Sequence, residues 1–351
     1  MSEYEREKKR SNGCGFGCLI MLAIGGLFVA AFALLIYFGL SSGGLEGVEI
    51  GRSLYSKTAT RLGSDESPEM VESWSSGSGT TRVVRVPVTG MIMLDPSPWG
   101  ERNAVTALRS IRRATHDATV KGLILEVNSG GGGITASDII YKALLDFKAA
   151  QPERKIVVIM GDMAASGAYY ISLPADFILA HPTTVTGSIG VIMQSYNFKE
   201  LAAKIGVTDV TIKSGDNKDF FNPFQAVDPE QMAIMQRLIV RMHDRFVALI
   251  AENRRLSKDV VQKLADGRVY LADEAVQNGL IDGIGYYQDA ERKVAELLAA
   301  DGVKALRYRE QMTLSDFLGG GGPGIGTQLE SLIEGRHGGA GLMYLWKPEG
   351  L

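Results

Sequence analysis

The chain is poor in the residues that most often cross-link or catalyse. Cysteine occurs twice, at Cys14 and Cys18, so no internal disulfide can form in the remaining 333 residues (351 − 18). Histidine occurs only at His116, His181, His243 and His337, which leaves few candidates for an imidazole base. Neither sign of charge is in excess: 37 Lys and Arg against 40 Asp and Glu give a formal net charge of −3. The lack of a basic surplus argues against a nucleic-acid partner, and the lack of like-charge blocks argues against a charged disordered tail. What is present is an ordinary globular balance, 45% hydrophobic and 22% charged over 351 residues, enough for one large domain or two modest ones.

One hydrophobic run departs from that balance. Cys18–Leu40 is 23 residues without a charge. At about 1.5 Å per helical residue it reaches roughly 34 Å, enough to cross a bilayer. Arg6, Lys8, Lys9 and Arg10 precede it, and Glu46 and Glu49 follow. The positive-inside rule then puts residues 1–17 in the cytoplasm and everything after Leu40 outside. A cleaved signal peptide is the competing reading. Ala31-Phe32-Ala33 has suitable small residues, but the apolar run continues through Leu34–Leu40 and leaves no polar cleavage region. The expectation is a single-pass cell-membrane anchor at 18–40. Cys14 and Cys18 lie at its entry, where cysteines are either acylated or inert.

Residues 41–80 are rich in Ser, Gly and acidic side chains and read as a flexible linker, with a short helix near Gly51–Leu62. An α/β body is expected over 81–318. Arg82–Leu94, Gly122–Asn128 and Lys155–Met160 read as strands, with further short ones near Phe177–Ala180 and Gly190–Met193. Between them, Ala104, Ala107, Leu108, Ile111 and Ala114 mark one helix, and Ile139, Ile140, Ala143, Leu144 and Phe147 another. Strands alternating with helices imply largely parallel pairing through crossovers. A long helix should begin at Asp228-Pro229, with Asp228 as N-cap. Met232, Met235, Leu238, Ile239, Met242, Phe246 and Leu249 would line one face of it, for core or subunit packing. Residues 319–351 form a glycine-rich tail ending in the apolar cluster Leu342–Trp346.

Ser166 stands alone among small residues in Gly161–Tyr170, and Lys218 follows in the polar, glycine-containing segment Ile212–Pro223. A serine hydroxyl needs a neighbouring base. No sequence feature brings any of the four histidines near Ser166, though His181, ahead of Pro182, is the least implausible. Lysine can replace histidine if its pKa falls from about 10.4 to about 7–8. That is roughly 4 kcal/mol against the charged form, which burial must supply. Phe220, Phe221, Pro223 and Phe224 offer apolar cover, and Asp219 must face away from the amine. On the residues alone, a solvent-exposed loop lysine is the plainer reading. Oxyanion stabilisation needs two converging N–H groups. The glycines of Ser129–Gly133 can present one and Gly167 a second; a phosphate loop is disfavoured because no Lys-Ser/Thr pair follows the glycines.

At these residues the chain resembles the signal peptide peptidase A family of the Clp-protease/crotonase superfamily. The resemblance runs in order through Val127–Gly133, Met163–Ser172, Thr184–Ile192, Ile212–Asp219 and Gly267–Asp282. It implies an α/β fold with a Clp-protease/crotonase-like repeated β-β-α core behind a single N-terminal transmembrane helix. By position, Ser166 resembles the nucleophile, Lys218 the general base, Ser188 the hydroxyl that orients the lysine amine, and Gly132 and Gly167 the oxyanion donors. One departure stands out: Gly130 occupies a position where the family commonly has proline, which leaves open whether Gly131, Gly132 or Gly133 donates.

The resemblance further implies a membrane-anchored serine endopeptidase that degrades remnant signal peptides and other unfolded apolar segments outside the cytoplasm. Its partners would be peptide substrates, the membrane, and further copies of itself, as a homo-octamer whose Ser and Lys come from neighbouring subunits. No cofactor, metal or nucleic acid is implied. The rival readings are a crotonase-like thioester enzyme with a coenzyme A site and an inactive membrane scaffold. A last expectation is that Leu342–Trp346 docks in the substrate groove as an internal plug.

Overall fold

The structure, a computed structural model, describes residues 70–94, 103–309 and the backbone of 343–345. All lie in the compact unit Leu62–Leu351. The anchor expected at 18–40, the short helix near Gly51–Leu62 and most of the tail fall outside the described residues. Among the described residues, no helix is long and apolar enough to cross a membrane.

The apolar runs become the central strands of one mixed α/β sheet. β2 (Thr81–Thr89), β3 (Val120–Ser129) and β5 (Lys155–Ala165) pair in parallel, joined by crossover helices α1 (Asn103–His116) and α2 (Ile134–Ala150). β6 (Phe177–Ala180) continues the parallel set beyond β5, and β10 (Val303–Arg309) extends it beyond β2. Strand alternation sends side chains to two covered faces. Val84, Leu123, Leu125, Ile156 and Val158 pack with α1 and α2 on one face. Val83, Ile124 and Val157 pack against Ala290 and Val294 of α8 (Tyr287–Leu297) on the other. Both apolar stripes read from the sequence face this core, except that Ile139 is exposed.

Several elements differ from expectation. Val71–Ser76, placed in the linker, forms strand β1 and pairs antiparallel with β10, because β10 has a free edge there. The glycine run is not a plain loop: Gly131–Gly133 forms a three-residue strand, β4. The strand expected at Gly190–Met193 lies earlier, as β7 (Val185–Gly187), and pairs with the last residues of β5. The expected β-β-α unit is present in β3-β4-α2. The long helix, α5 (Pro229–Arg254), does start at Asp228, whose Oδ1 accepts from the Glu230 N–H at 2.8 Å. Only the C-terminal part of its apolar face is covered, however. Of the seven stripe residues Phe246 alone is buried, because the body packs against the last turns and leaves Met232 and Leu238 exposed.

Candidate active site

Parallel register brings the candidate residues to one end of the sheet. Ser129 at the end of β3 pairs with Ala164 of β5, and Ala165 at the end of β5 pairs with Gly187 of β7. The glycine strand, Ser166 and Ser188 therefore follow the carboxyl ends of three neighbouring strands. In open parallel sheets that end is where ligands bind.

Ser166 occupies a strained turn between β5 and the short helix α3 (Gly167–Ser172), with φ 56° and ψ −117°. Such a conformation costs a non-glycine residue on the order of 1–3 kcal/mol and persists only where its surroundings fix it. Here the Ser166 N–H donates to the Gly187 carbonyl at 2.7 Å, and its own carbonyl accepts from the Tyr170 N–H at 2.9 Å. Tyr170 is held in turn, its hydroxyl donating to Asp138 Oδ1 at 2.6 Å, where Arg245 also donates at 2.7 Å. Burial, then the bond to Asp138, push the Tyr170 phenol above its ordinary pKa, so it remains a donor. Ser166 is 1% exposed, and among the described residues its Oγ has no hydrogen-bond partner. A buried hydroxyl left unpaired calls for a functional account. Gly167, as first residue of α3, has an N–H without an intrahelical acceptor beside that hydroxyl.

Ser188 follows β7 with φ 49°, a second serine in the left-handed region. Its N–H donates to the Arg268 carbonyl at 2.8 Å, across to β8 (Val269–Leu271). It lines a cavity of about 400 Å³ with Val191, Ile239, Val240, His243 and Asp266.

The three glycines of β4 have different commitments. The Gly131 N–H donates to Ser129 Oγ at 3.0 Å, and the Gly133 N–H to the Ile92 carbonyl at 2.9 Å. Strand alternation turns the Gly132 N–H to the opposite edge. On that edge Met343–Leu345, strand β11, pairs antiparallel with β4, Tyr344 opposite Gly132. Part of the apolar tail cluster thus docks at the glycine strand. Ser129 and Ile92 were not singled out by sequence. Ile92 acts through a contact between distant segments that no local pattern encodes, whereas Ser129 acts locally, through its bond to the Gly131 N–H two residues on.

Lys218 is not brought to this cluster. It is exposed in the turn after Ile212 and makes no hydrogen bond to Ser166 or Ser188 among the described residues. Among the described residues no histidine replaces it: the Ser166 hydroxyl has no partner there, and His243 is engaged with the Ala265 carbonyl at 2.8 Å. Along the chain on either side of Lys218, between Tyr196 and Val227, several apolar side chains are exposed: Val210 is 84% and Ile212 98% exposed, and Tyr196, Leu201, Ile205 and Val227 are each more than half exposed. Isolated exposed apolar residues are ordinary, but a segment with this many marks an interaction surface.

Comparison with known proteins bears on the family of the chain. A family model described as "Peptidase family S49" matches residues 148–301. An Enterococcus faecium protein provisionally described as signal peptide peptidase SppA is 36% identical over 258 residues, covering 72% of this chain and 73% of that protein. A Methanocaldococcus jannaschii protein provisionally described as a protease is 35% identical over 228 residues, covering 63% of this chain and 72% of that one. A solved structure of a ClpP1 mutant from Listeria monocytogenes aligns at 19% identity with a TM-score of 0.39, covering 60% of this chain and 94% of that chain. A score that low carries no argument about fold.

Proposed function

Because the chain belongs to peptidase family S49, in the signal peptide peptidase A group of proteases, we propose that it is a serine endopeptidase whose dyad is completed between copies. Ser166 is the nucleophile and Lys218 of a second copy is its general base. The observation that carries this reading is the complementary pair of deficits. Among the described residues Ser166 Oγ is buried and unpaired at a strained turn, while Lys218 is exposed in a polar turn flanked along the chain by exposed apolar side chains such as Val210, Ile212 and Val227. One association of copies remedies both.

In the assembled site the lysine must be dry enough to lose its proton, a shift of about three pKa units worth roughly 4 kcal/mol. The cavity beside Ser188 has the apolar walls for that, and the Ser188 hydroxyl holds the amine in position. Lys218 takes the Ser166 proton as Oγ attacks the peptide carbonyl, then gives it to the leaving amine. The Gly132 and Gly167 N–H groups receive the developing oxyanion. A water, deprotonated by the same lysine, hydrolyses the ester. Substrate lies extended along β4, as β11 does, which suits unfolded apolar segments such as remnant signal peptides. The β-β-α unit and the glycine strand support placing the fold in the Clp-protease/crotonase superfamily. The charge-free run 18–40 supports a membrane anchor with the body outside the cytoplasm, and a closed homo-octamer satisfies every copy equally.

Hydrolysis of a fluorogenic apolar peptide tests the assignment. Ser166→Ala and Lys218→Ala should each lose nearly all turnover. Dissociating and mixing the two variants should restore it, to about a quarter of sites at random reassembly of a head-to-tail ring. Full activity in Lys218→Ala removes lysine from the mechanism. Two dead variants that never complement place both groups in one copy.

A further inference from the structure

The turn that presents Lys218 contains a second lysine with a different surrounding. Lys213 Nζ donates to Asp219 Oδ1 at 2.8 Å and to the Asp216 carbonyl at 3.2 Å. It therefore spans the turn from one end to the other and closes it from inside. The turn is further fixed by the Lys218 N–H donating to the Gly215 carbonyl at 3.1 Å, and by Gln231 of α5 donating to the Asp216 carbonyl at 3.1 Å. Lys213 and Asp219 line one cavity of about 390 Å³, and Lys218 does not. The Asp219 side chain is only 11% exposed, and its Oδ2 is buried without a partner. A carboxylate next in sequence to a base that must be uncharged is electrostatically wrong for catalysis unless something neutralises it.

We propose that Lys213 is a positioning residue for the reaction: its ammonium holds the Asp219 carboxylate inside the turn and cancels its charge, so that the neighbouring Lys218 amine can exist unprotonated. This inference rests on the reading of Lys218 as general base. Lys213 touches neither substrate nor the reacting atoms; it acts through Asp219. The raised pKa of Lys213, caused first by its bond to Asp219, keeps the neutralising charge in place through the range in which a peptidase works. The other charged groups near the turn are accounted for. Asp216 and Asp228 surround Lys213, and Asp209 is held by Thr211, Asn222 and Gln225. At the acceptor site, beside Ser188, His243 is bonded to the Ala265 carbonyl and Asp266 is paired with Arg268.

The test is the acid limb of kcat/KM against pH, measured on the full assembled chain with a fluorogenic peptide. Removing the cation in Lys213→Met leaves a bare carboxylate near the base. That favours the ammonium and moves the limb to higher pH, by about one to two units for charges several ångströms apart near a surface. Asp219→Asn leaves a bare cation instead and moves the limb to lower pH by a similar amount. The double variant returns it to the wild-type position, and Lys213→Arg preserves it. Opposite shifts that cancel follow from charge; a purely structural role moves both variants the same way or only lowers kcat. Shifts of one sign, or none in the isosteric Asp219→Asn, overturn the proposal. If Lys218→Ala keeps its activity, it is the dyad assignment that fails, and that result is separate from these shifts.

Discussion

Replacing Gly132 by alanine tests the proposed role of the glycine strand in oxyanion binding. An ideal Cβ at Gly132 would lie 2.2 Å from the Ile92 carbonyl oxygen and 2.7 Å from the Ile92 nitrogen. Both are backbone atoms and cannot rotate away, so the strand itself must shift. The shift breaks the two bonds that flank it, Ile92 N–H to the Gly131 carbonyl and Gly133 N–H to the Ile92 carbonyl, both 2.9 Å. At about 1 kcal/mol each, the stability cost is about 2 kcal/mol, or roughly 4–8 °C in Tm for a body of this size. The catalytic cost is larger. Displacing one oxyanion donor removes about 2.7–4 kcal/mol of transition-state stabilisation, a loss of about 10²–10³ in kcat. Gly133→Ala is the control. Its Cβ meets only Ala136 Cβ at 3.6 Å and the Ile92 oxygen at 3.7 Å, ordinary contacts, and its N–H is already committed. It should stay within about threefold of wild type, well under 1 kcal/mol. The assay is kcat on a fluorogenic peptide below the melting temperature of both variants. A Gly132→Ala enzyme within tenfold of wild type, or a Gly133→Ala enzyme equally impaired, refutes Gly132 as the donor.

Truncation after Gly326 removes β11 from the glycine strand, so peptidase activity should rise; an unchanged rate disposes of the tail as a plug. Arg154 is buried at 1% exposure and donates to the carbonyls of Thr115, Asp117, Val120 and Phe147, tying the end of α1 and β3 to the end of α2. Arg154→Met should lower unfolding stability by about 3–5 kcal/mol in denaturant titration, since those acceptors lose a shared donor. At Asp138 burial pushes the pKa up, but the bonds from Arg245 and Tyr170 outweigh it and hold the carboxyl below its usual range. Its contribution to stability is therefore complete above the unfolded value near 3.9 and lost as pH falls through the folded one. Asp138→Asn should flatten the acid side of the stability–pH curve, and an unchanged slope shows that Asp138 does not contribute.

Much of the body was legible because its signals are local. Leu123, Ile124 and Leu125 read as a buried strand, and Ala104 to Ala114 as a helix, since period and composition report burial directly. Strand β1 was missed because Val71–Ser76 is polar and owes its pairing to the edge of β10, more than 200 residues away. The N-terminal half of α5 has the same apolar period as a core helix, yet it is exposed; period alone does not say whether the covering surface belongs to the same copy.

The sequence alone determined the candidate chemistry: one serine among small residues, a glycine run after a buried strand, and a lysine in a polar turn. Only the tertiary structure decided how these meet. Parallel register set Ser188 beside Ser166, strand alternation distinguished Gly132 from its neighbours, and chain geometry left Lys218 in solvent, apart from both serines. Distance between segments arises from pairing and packing across the whole sheet, and no short stretch of residues contains that information.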